Sequence, residues 1–599
     1  MLRNENPRPY LIRDSKLINL NGKWEFDFDD KNVGHKEKWF LNHKFNRHII
    51  VPFPFESKLS EVEDVRRHDY IWYQKEFDLE VVENKRYILN FNGVDYFSEI
   101  YINNYLVSNH FGGSTRFKID VTDFVVSGKN KVTVYVFDDG IKQDFPRGKQ
   151  YWKDQGEGIF YTRTSGIYKN VYLEELNSSY IDEYYLTSDI DEGTLEVKLD
   201  LVGDYDKIEY LIKKDNKIIN QVVVSKRENA YLAKEKLRVW NLEDVYSGCF
   251  HDEKLCWTPD NPCLYDLSIK LIKNEEVVDN ISTYFAMRKV SYKNGMFFLN
   301  NRPFYQKLVL IQGYFKDGIL AYKDIQDLEN DIILAKKMGF NGGRMHQKIE
   351  DPYYYYLCDK LGFIAWLELP SCQLFNFNSE ESILKEWSTI IRQNYNHPSI
   401  FVYVPLNESW GVPHLPSDKK QVDFENALYY LTHSLDSSRL CVGNDGWEMS
   451  KTDICSIHNY RHGEKGDLKA NKTFEDSLIN RENLLLSKPA GRDIFLDGYE
   501  NNEVPVMLTE FGGVSFVSNK DKNWGYTTVK NKEDYLEELT RIFKAINKST
   551  SLVGYCYTQL YDVEHEINGL LTYERKPKVD VEEIKKINDL VSPSIMLLK

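Results

Sequence analysis

Long apolar runs are missing from this chain of 599 residues. No stretch approaches the roughly 18 residues a membrane helix needs, so no membrane partner is expected. The opening residues, Met1 to Tyr10, lack the apolar core of a secretory leader, and a cytoplasmic protein is expected. Positive charge is also short: 77 Lys and Arg against 92 Asp and Glu leave a net charge of −15. With no basic stripe, nucleic acid is not an expected partner.

Cysteine is sparse. Eight residues make no disulfide framework. Cys249, Cys256 and Cys263 are evenly spaced near His251, yet they include no CxxC pair and sit among Trp257, Pro259 and Pro262. Buried free thiols are therefore expected there rather than a zinc site. No other metal cluster stands out, and no cofactor is expected. No GxGxxG follows a strand-like run, which disfavours a dinucleotide-binding open sheet.

What the chain does have is a change of rhythm. Its length calls for roughly three or four domains. Through about residue 176, short alternating runs such as Lys131–Phe137 and Ser98–Asn103 are separated by turn signals such as Asn21-Gly22 and Gly112-Gly113. This pattern predicts an N-terminal β-sandwich over 1–176. Similar but shorter units, such as Thr194–Leu201 and Leu264–Leu271, predict an immunoglobulin-like sandwich over 177–289. The aromatic content, 14%, is assigned mainly to these cores.

From about residue 290 the pattern alternates strand and helix. Eight strands are predicted: Tyr305–Ile311, Phe340–Arg344, Phe363–Leu367, Ile400–Leu406, Arg439–Gly443, Ile454–Ile457, Val506–Thr509 and Val553–Thr558. Helices at Asp324–Met338 and Ser379–Asn396 are the clearest between them. The count predicts a (β/α)8 barrel over 290–599. The polar stretch 460–504 reads as a loop over the site or a solvated insertion.

Barrel enzymes carry their chemistry at the C-terminal ends of the strands. Glu408 ends the fourth strand in Asn407-Glu408-Ser409-Trp410, and Glu510 ends the seventh in Thr509-Glu510-Phe511-Gly512-Gly513. Two carboxylates on one rim could serve as acid/base and nucleophile in cleaving a glycosidic bond. Glu368 and Asp445 also stand at strand ends; neighbouring Asn407, Trp410 and the Gly512-Gly513 pair single out Glu408 and Glu510.

These two motifs resemble the acid/base and nucleophile motifs of glycoside hydrolase family 2, which includes β-galactosidases, β-glucuronidases and β-mannosidases. Leu20–Phe26, Val51–Pro54 and Arg163–Tyr168 resemble parts of that family's N-terminal jelly roll, and Trp257–Tyr265 resembles the end of its immunoglobulin-like domain. The resemblance covers essentially the whole chain, in order. It implies a retaining mechanism with Glu408, protonated at rest, as acid/base and Glu510 as nucleophile. It further implies Arg344 as a charge-stabilising group and Asn407 as a partner of the sugar's 2-hydroxyl. His346 would line the sugar pocket, and Tyr460 would stand near the nucleophile. Trp410 and Trp447 are candidate aromatic walls.

Some positions depart from the family pattern. One residue separates Arg344 from His346, where many members have two. The first barrel strand lacks the usual Gly-Val-Asn run, and no Asn-x-Lys signature for a substrate carboxylate stands near Glu564–Gly569. The expectation is a divergent exo-glycosidase acting on terminal neutral sugars, β-galactosides first. β-Mannosides, β-glucuronides and arabinosides follow, with a non-catalytic carbohydrate-binding protein as the reading from another class. The partner is a glycoside or oligosaccharide, and the sandwich domains offer surfaces where copies of the chain could associate as a homo-oligomer.

Overall fold

A computed structural model describes residues 3, 5–226, 233–251, 253–516 and 525–592. The first domain is a jelly-roll-type sandwich of a six-stranded and a four-stranded sheet. Gly128–Phe137 pairs with both Tyr70–Leu79 and Phe97–Ile102 in the larger sheet. Its alternation does what the sequence pattern requires: Val132, Val134 and Val136 face a core with Trp24, Phe26 and Tyr73. The opposite face is covered too, because Tyr135 joins an aromatic cluster with Trp72 and Tyr101.

The second sandwich has sheets of five and three strands. Its five-stranded sheet takes an edge strand from the start of the chain, with Leu11 opposite Thr283. The first segment of the chain thus ties the two sandwiches together. Cys263 is a buried free thiol, as expected. Cys256, by contrast, is disulfide-bonded, which corrects the free-thiol reading: bridging depends on where the folded chain brings two sulfurs, and spacing does not reveal that. The side chains of Cys249 and His251 lie outside the described residues.

The third domain is the barrel. Its strands are β1 (Gln306–Ile311), β2 (Gly342–Met345), β3 (Ile364–Glu368), β4 (Ile400–Val404), β5 (Leu440–Cys441), β6 (Cys455–His458), β7 (Val506–Gly512) and β8 (Leu552–Thr558). All eight predicted strands are present, paired in the order β5-β4-β3-β2-β1-β8-β7-β6. The first and last strands, β1 and β8, pair in parallel register, and the ladder's two ends are β5 and β6. The strands are almost wholly buried, which explains their near-continuous apolar character. Helix α1 (Ile325–Lys337) begins at an Asp324 capping box and buries Leu328, Ile332 and Ala335 against the sheet. Helix α2 (Phe377–Asn394) ends before Pro398.

The 460–504 stretch is not simply a solvated loop. It forms α3 (Leu468–Leu478) and α4 (Arg481–Leu486), each capped by an Asp or Asn side chain, and buries Phe474, Leu478 and Leu484. Its return leg runs beside the loop after β5, where Met449 N–H donates to Ile494 O at 2.9 Å.

Candidate active site

Arg344, on β2, is the centre of the rim. Gly342 precedes it because a Cβ there would lie 2.5 Å from Ile364, so only glycine lets β3 pack this closely. The guanidinium is fully buried and spends its donors in three directions. Nε donates to Glu368 at 2.8 Å and faces Asp445 at 3.0 Å. Nη1 donates to Glu510 Oε1 at 2.7 Å, and Nη2 donates to Asn407 Oδ1 at 2.6 Å.

This arrangement sorts the four strand-end acids. Glu368 and Asp445 are sealed at 0% side-chain exposure and act as counter-ions of Arg344. Burial pushes the Glu368 carboxyl up to about 7 against the pull of Arg344. Burial would raise Asp445 as well, but the Arg344 and His458 charges overcome it and hold that carboxyl below the ordinary range. Glu408 and Glu510 keep 19% and 7% side-chain exposure and are the pair that can meet a ligand.

Glu510 lies within β7. Besides Arg344, it accepts a hydrogen bond from Tyr460 Oη at 2.7 Å. Burial and the Glu510 charge raise the Tyr460 phenol well above its usual value, so it stays a donor. Tyr460 is itself stacked on Tyr526, with ring centroids 3.5 Å apart.

Glu408 follows β4 with a left-handed backbone, φ 51°, and Ser409 continues the turn at φ 59°. Such conformations cost about 1–2 kcal/mol per residue and persist only when held. Here Glu408 N–H donates to Asp445 O at 2.8 Å and Ser409 N–H to Asn444 Oδ1 at 3.0 Å. The turn aims the Glu408 carboxylate at His458, whose Nδ1 lies 2.8 Å from Oε1.

His458 is the functional residue that sequence reasoning missed. It ends β6, buried between the two acids: Nδ1 is 3.5 Å from Glu510 Oε2, and Nε2 is 3.3 Å from Asp445 Oδ1. Burial alone would lower its pKa, but the Glu510 and Asp445 charges and the bonds to Asp445 and Glu408 push it up to about 10. Glu408 responds in the opposite sense: burial would raise it, but the His458 bond and charge, with Lys149, bring it down to about 2. This direction runs against the expectation that Glu408 is protonated at rest. The 2.8 Å contact and the surrounding charges favour a protonated His458 beside an ionised Glu408.

The sign of the linkage follows. The Glu408 share of stability is present above its ordinary value and is lost as pH falls toward 2. The His458 share is present below its ordinary value and is lost as pH rises through about 10. His458→Gln is expected to pull the alkaline limb of the kcat/KM profile down by more than one pH unit, because only Glu408 would then hold the proton. An unmoved alkaline limb in that variant would remove His458 from proton delivery.

The remaining predicted residues also meet here. His346 Nδ1 lies 3.2 Å from Arg344 Nη2 and 3.1 Å from Glu368 Oε1; burial and the charges of Lys149 and Arg344 keep it neutral. Asn407, with its oxygen turned to Arg344, leaves its amide nitrogen for a ligand. Trp447 packs edge-on against His458 at 5.7 Å and has a buried indole N–H without a partner. Trp410 is half-buried, edge-on to Phe160 at 5.9 Å.

Oxygens of Glu408 and Glu510 and a ring nitrogen of His458 all lie within 4.8 Å of one another. By donor type and spacing these three could also chelate a divalent cation, a constellation the sequence reading did not find. Any such ion would have to displace the His458 proton.

Three family models match the chain end to end. "Glycosyl hydrolases family 2, sugar binding domain" covers residues 17–177, "Glycosyl hydrolases family 2" covers 179–288, and "Glycosyl hydrolases family 2, TIM barrel domain" covers 290–592. A putative beta-glucuronidase of Formosa agariphila is 30% identical over 437 residues, 70% of this chain and 50% of that protein. A beta-galactosidase of Thermoanaerobacter pseudethanolicus is 26% identical over 445 residues, 70% of this chain and 53% of that protein. The chain thus spans about half the length of these two relatives. The fold matches that of Bifidobacterium dentium beta-glucuronidase complexed with coumarin-3-O-glucuronide, with a TM-score of 0.77, 19% identity and 98% of both chains covered.

Proposed function

Because the chain belongs to glycosyl hydrolase family 2, we propose that it is a retaining exo-β-glycosidase working by double displacement. The observation that carries this reading is the approach of Glu408 and Glu510 oxygens to within 4.8 Å. Retaining enzymes place their carboxyls roughly 5–5.5 Å apart, whereas inverting ones need roughly 6.5–9.5 Å to admit a water.

Glu510, held by Arg344 and Tyr460, is the nucleophile. Its oxygen bonds to the anomeric carbon as the bond to the leaving oxygen breaks. That oxygen takes its proton from Glu408, and His458 passes its own proton across the 2.8 Å bond to Glu408. In the second step Glu408 draws a proton from water and hands it back to His458, the water oxygen attacks the anomeric carbon, and Glu510 departs. Asn407 offers its amide to the sugar beside the reacting carbon. Exo action is supported by Phe160 of the first domain packing on Trp410 and by Arg492 of the 460–504 insertion lying over Trp447, both beside the acids.

A panel of nitrophenyl β-glycosides, including β-galactoside and β-glucuronide, tests the reading, with the first-formed product followed by NMR. The β-anomer is expected first. Initial release of the α-anomer would rule out the covalent intermediate. Sugar binding by calorimetry without turnover of any glycoside would favour the non-catalytic alternative.

A further inference from the structure

The first domain sends one charged side chain into the barrel's mouth. Lys149 lies in the segment between the strands Gly128–Phe137 and Gly166–Ile167. Its backbone is clamped on both sides. Arg147 and Gly148 N–H groups both donate to Ser371 O, just past β3, at 3.2 and 3.0 Å, and Tyr161 N–H donates to Lys149 O at 2.9 Å. At Gly148, φ is 59° and a Cβ would lie 2.5 Å from Gln347 O, so glycine is needed for this close seat on the barrel.

The residue as a whole is 8% exposed. Its ammonium makes no hydrogen bond or ion pair among the described residues. It faces the Phe160 ring at 5.9 Å, and Phe160 in turn meets Trp410, two residues beyond Glu408. The Lys149 charge weighs on His346 more than that of Arg344, and it also reaches Glu408 and Glu566.

The acids nearby are already committed. Glu566 accepts from Tyr161 Oη at 2.5 Å and from Asn568 Nδ2 at 3.0 Å. Glu564 accepts Thr162 N–H with both oxygens, and Glu408 is paired with His458. An unpartnered ammonium on an otherwise buried residue is held in place by its packed stem, and it gains a charge-assisted hydrogen bond when a ligand brings a negative group.

We propose that Lys149 is a specificity-determining residue which receives an anionic substituent on the sugar, the carboxylate of a uronide or a sulfate ester. The proposal rests on the glycosidase reading and sets aside the neutral-sugar preference, which rested on the loop after β8 alone. An ammonium–carboxylate contact of this kind is worth roughly 10- to 100-fold in kcat/KM.

The test compares nitrophenyl β-glucuronide, nitrophenyl β-galactoside and its 6-sulfate on the wild type, Lys149→Met and Lys149→Arg. The wild type is expected to prefer an anionic substrate at least tenfold. Lys149→Met should erase most of that preference, and Lys149→Arg should restore part of it. Which anionic substrate wins identifies the source of the charge. A wild-type preference for galactoside, or an equal fall on all three substrates in Lys149→Met, overturns the proposal. If Lys149→Met does not fold, product inhibition of the wild type decides: glucuronate or galactose 6-sulfate must bind more tightly than galactose. If the wild type turns over none of the three nor any other glycoside of the nitrophenyl panel, mannoside and arabinoside included, the glycosidase reading itself falls. Calorimetric titration with the same sugar acids and galactose then decides the Lys149 question separately.

Discussion

Replacing Glu510 by Ala is expected to lower kcat by roughly 10⁴- to 10⁶-fold, the range seen when a covalent nucleophile is removed. No neighbour can take over: Glu368 and Asp445 are sealed behind Arg344, and Glu408 lies on the other side of the reacting carbon. The variant leaves an open position beside the Arg344 and Tyr460 donors. Azide added to the assay should enter it and form a glycosyl azide of inverted configuration. Near-normal turnover by Glu510→Ala, measured on an activated nitrophenyl glycoside, would show that the assignment is wrong.

The second large effect is on stability as well as rate. Arg344→Met removes the guanidinium that Glu368, Asp445 and Glu510 all meet within 3.0 Å. Breaking a buried pair from one side costs about 3–5 kcal/mol, and here three carboxylates are left. The variant is expected to be destabilised by at least that much in urea, with turnover lost through a misplaced nucleophile. The deficit should narrow in acid. Asp445 is held below its ordinary value of 3.8, so its stabilising share is present above that pH and fades as pH falls through the folded value. A urea midpoint within error of wild type would mean that the acids are held by something other than Arg344.

The barrel was legible in the sequence because its signals are local. A fully buried parallel strand must be a short apolar run, and an outer helix must show an apolar face, as Leu328, Ile332 and Ala335 do. Glu408 and Glu510 could be found because strand ends are where such a fold can place a reacting group. The family resemblance added Arg344, His346, Asn407 and Tyr460, with Trp410 and Trp447 as candidate walls, and the fold brings them to one rim.

What escaped depends on neighbours distant in sequence. His458 stands in the same Ile457–Tyr460 stretch that pointed to Tyr460, but a lone histidine ending a buried strand resembles a packed one. Only the approach of Glu408, 50 residues earlier, gives it a role. The pull of His458 on Glu408 was hidden for the same reason. Lys149 lies in a loop whose meaning appears only when it docks on Ser371. The helices of the 460–504 stretch did carry a signal, an Asp467 cap followed by Phe474 and Leu478 one turn apart, within a largely polar segment.

The seat of the 147–163 segment on the barrel also sets an order of assembly. Synthesis begins at the N-terminus, so this wall of the pocket leaves the ribosome some 250 residues ahead of Glu408 and more than 340 ahead of Glu510. The segment takes its seat when Ser371 follows, still ahead of both acids. Sequence change in the first domain can then reshape which sugars are accepted while the barrel that cuts them stays the same.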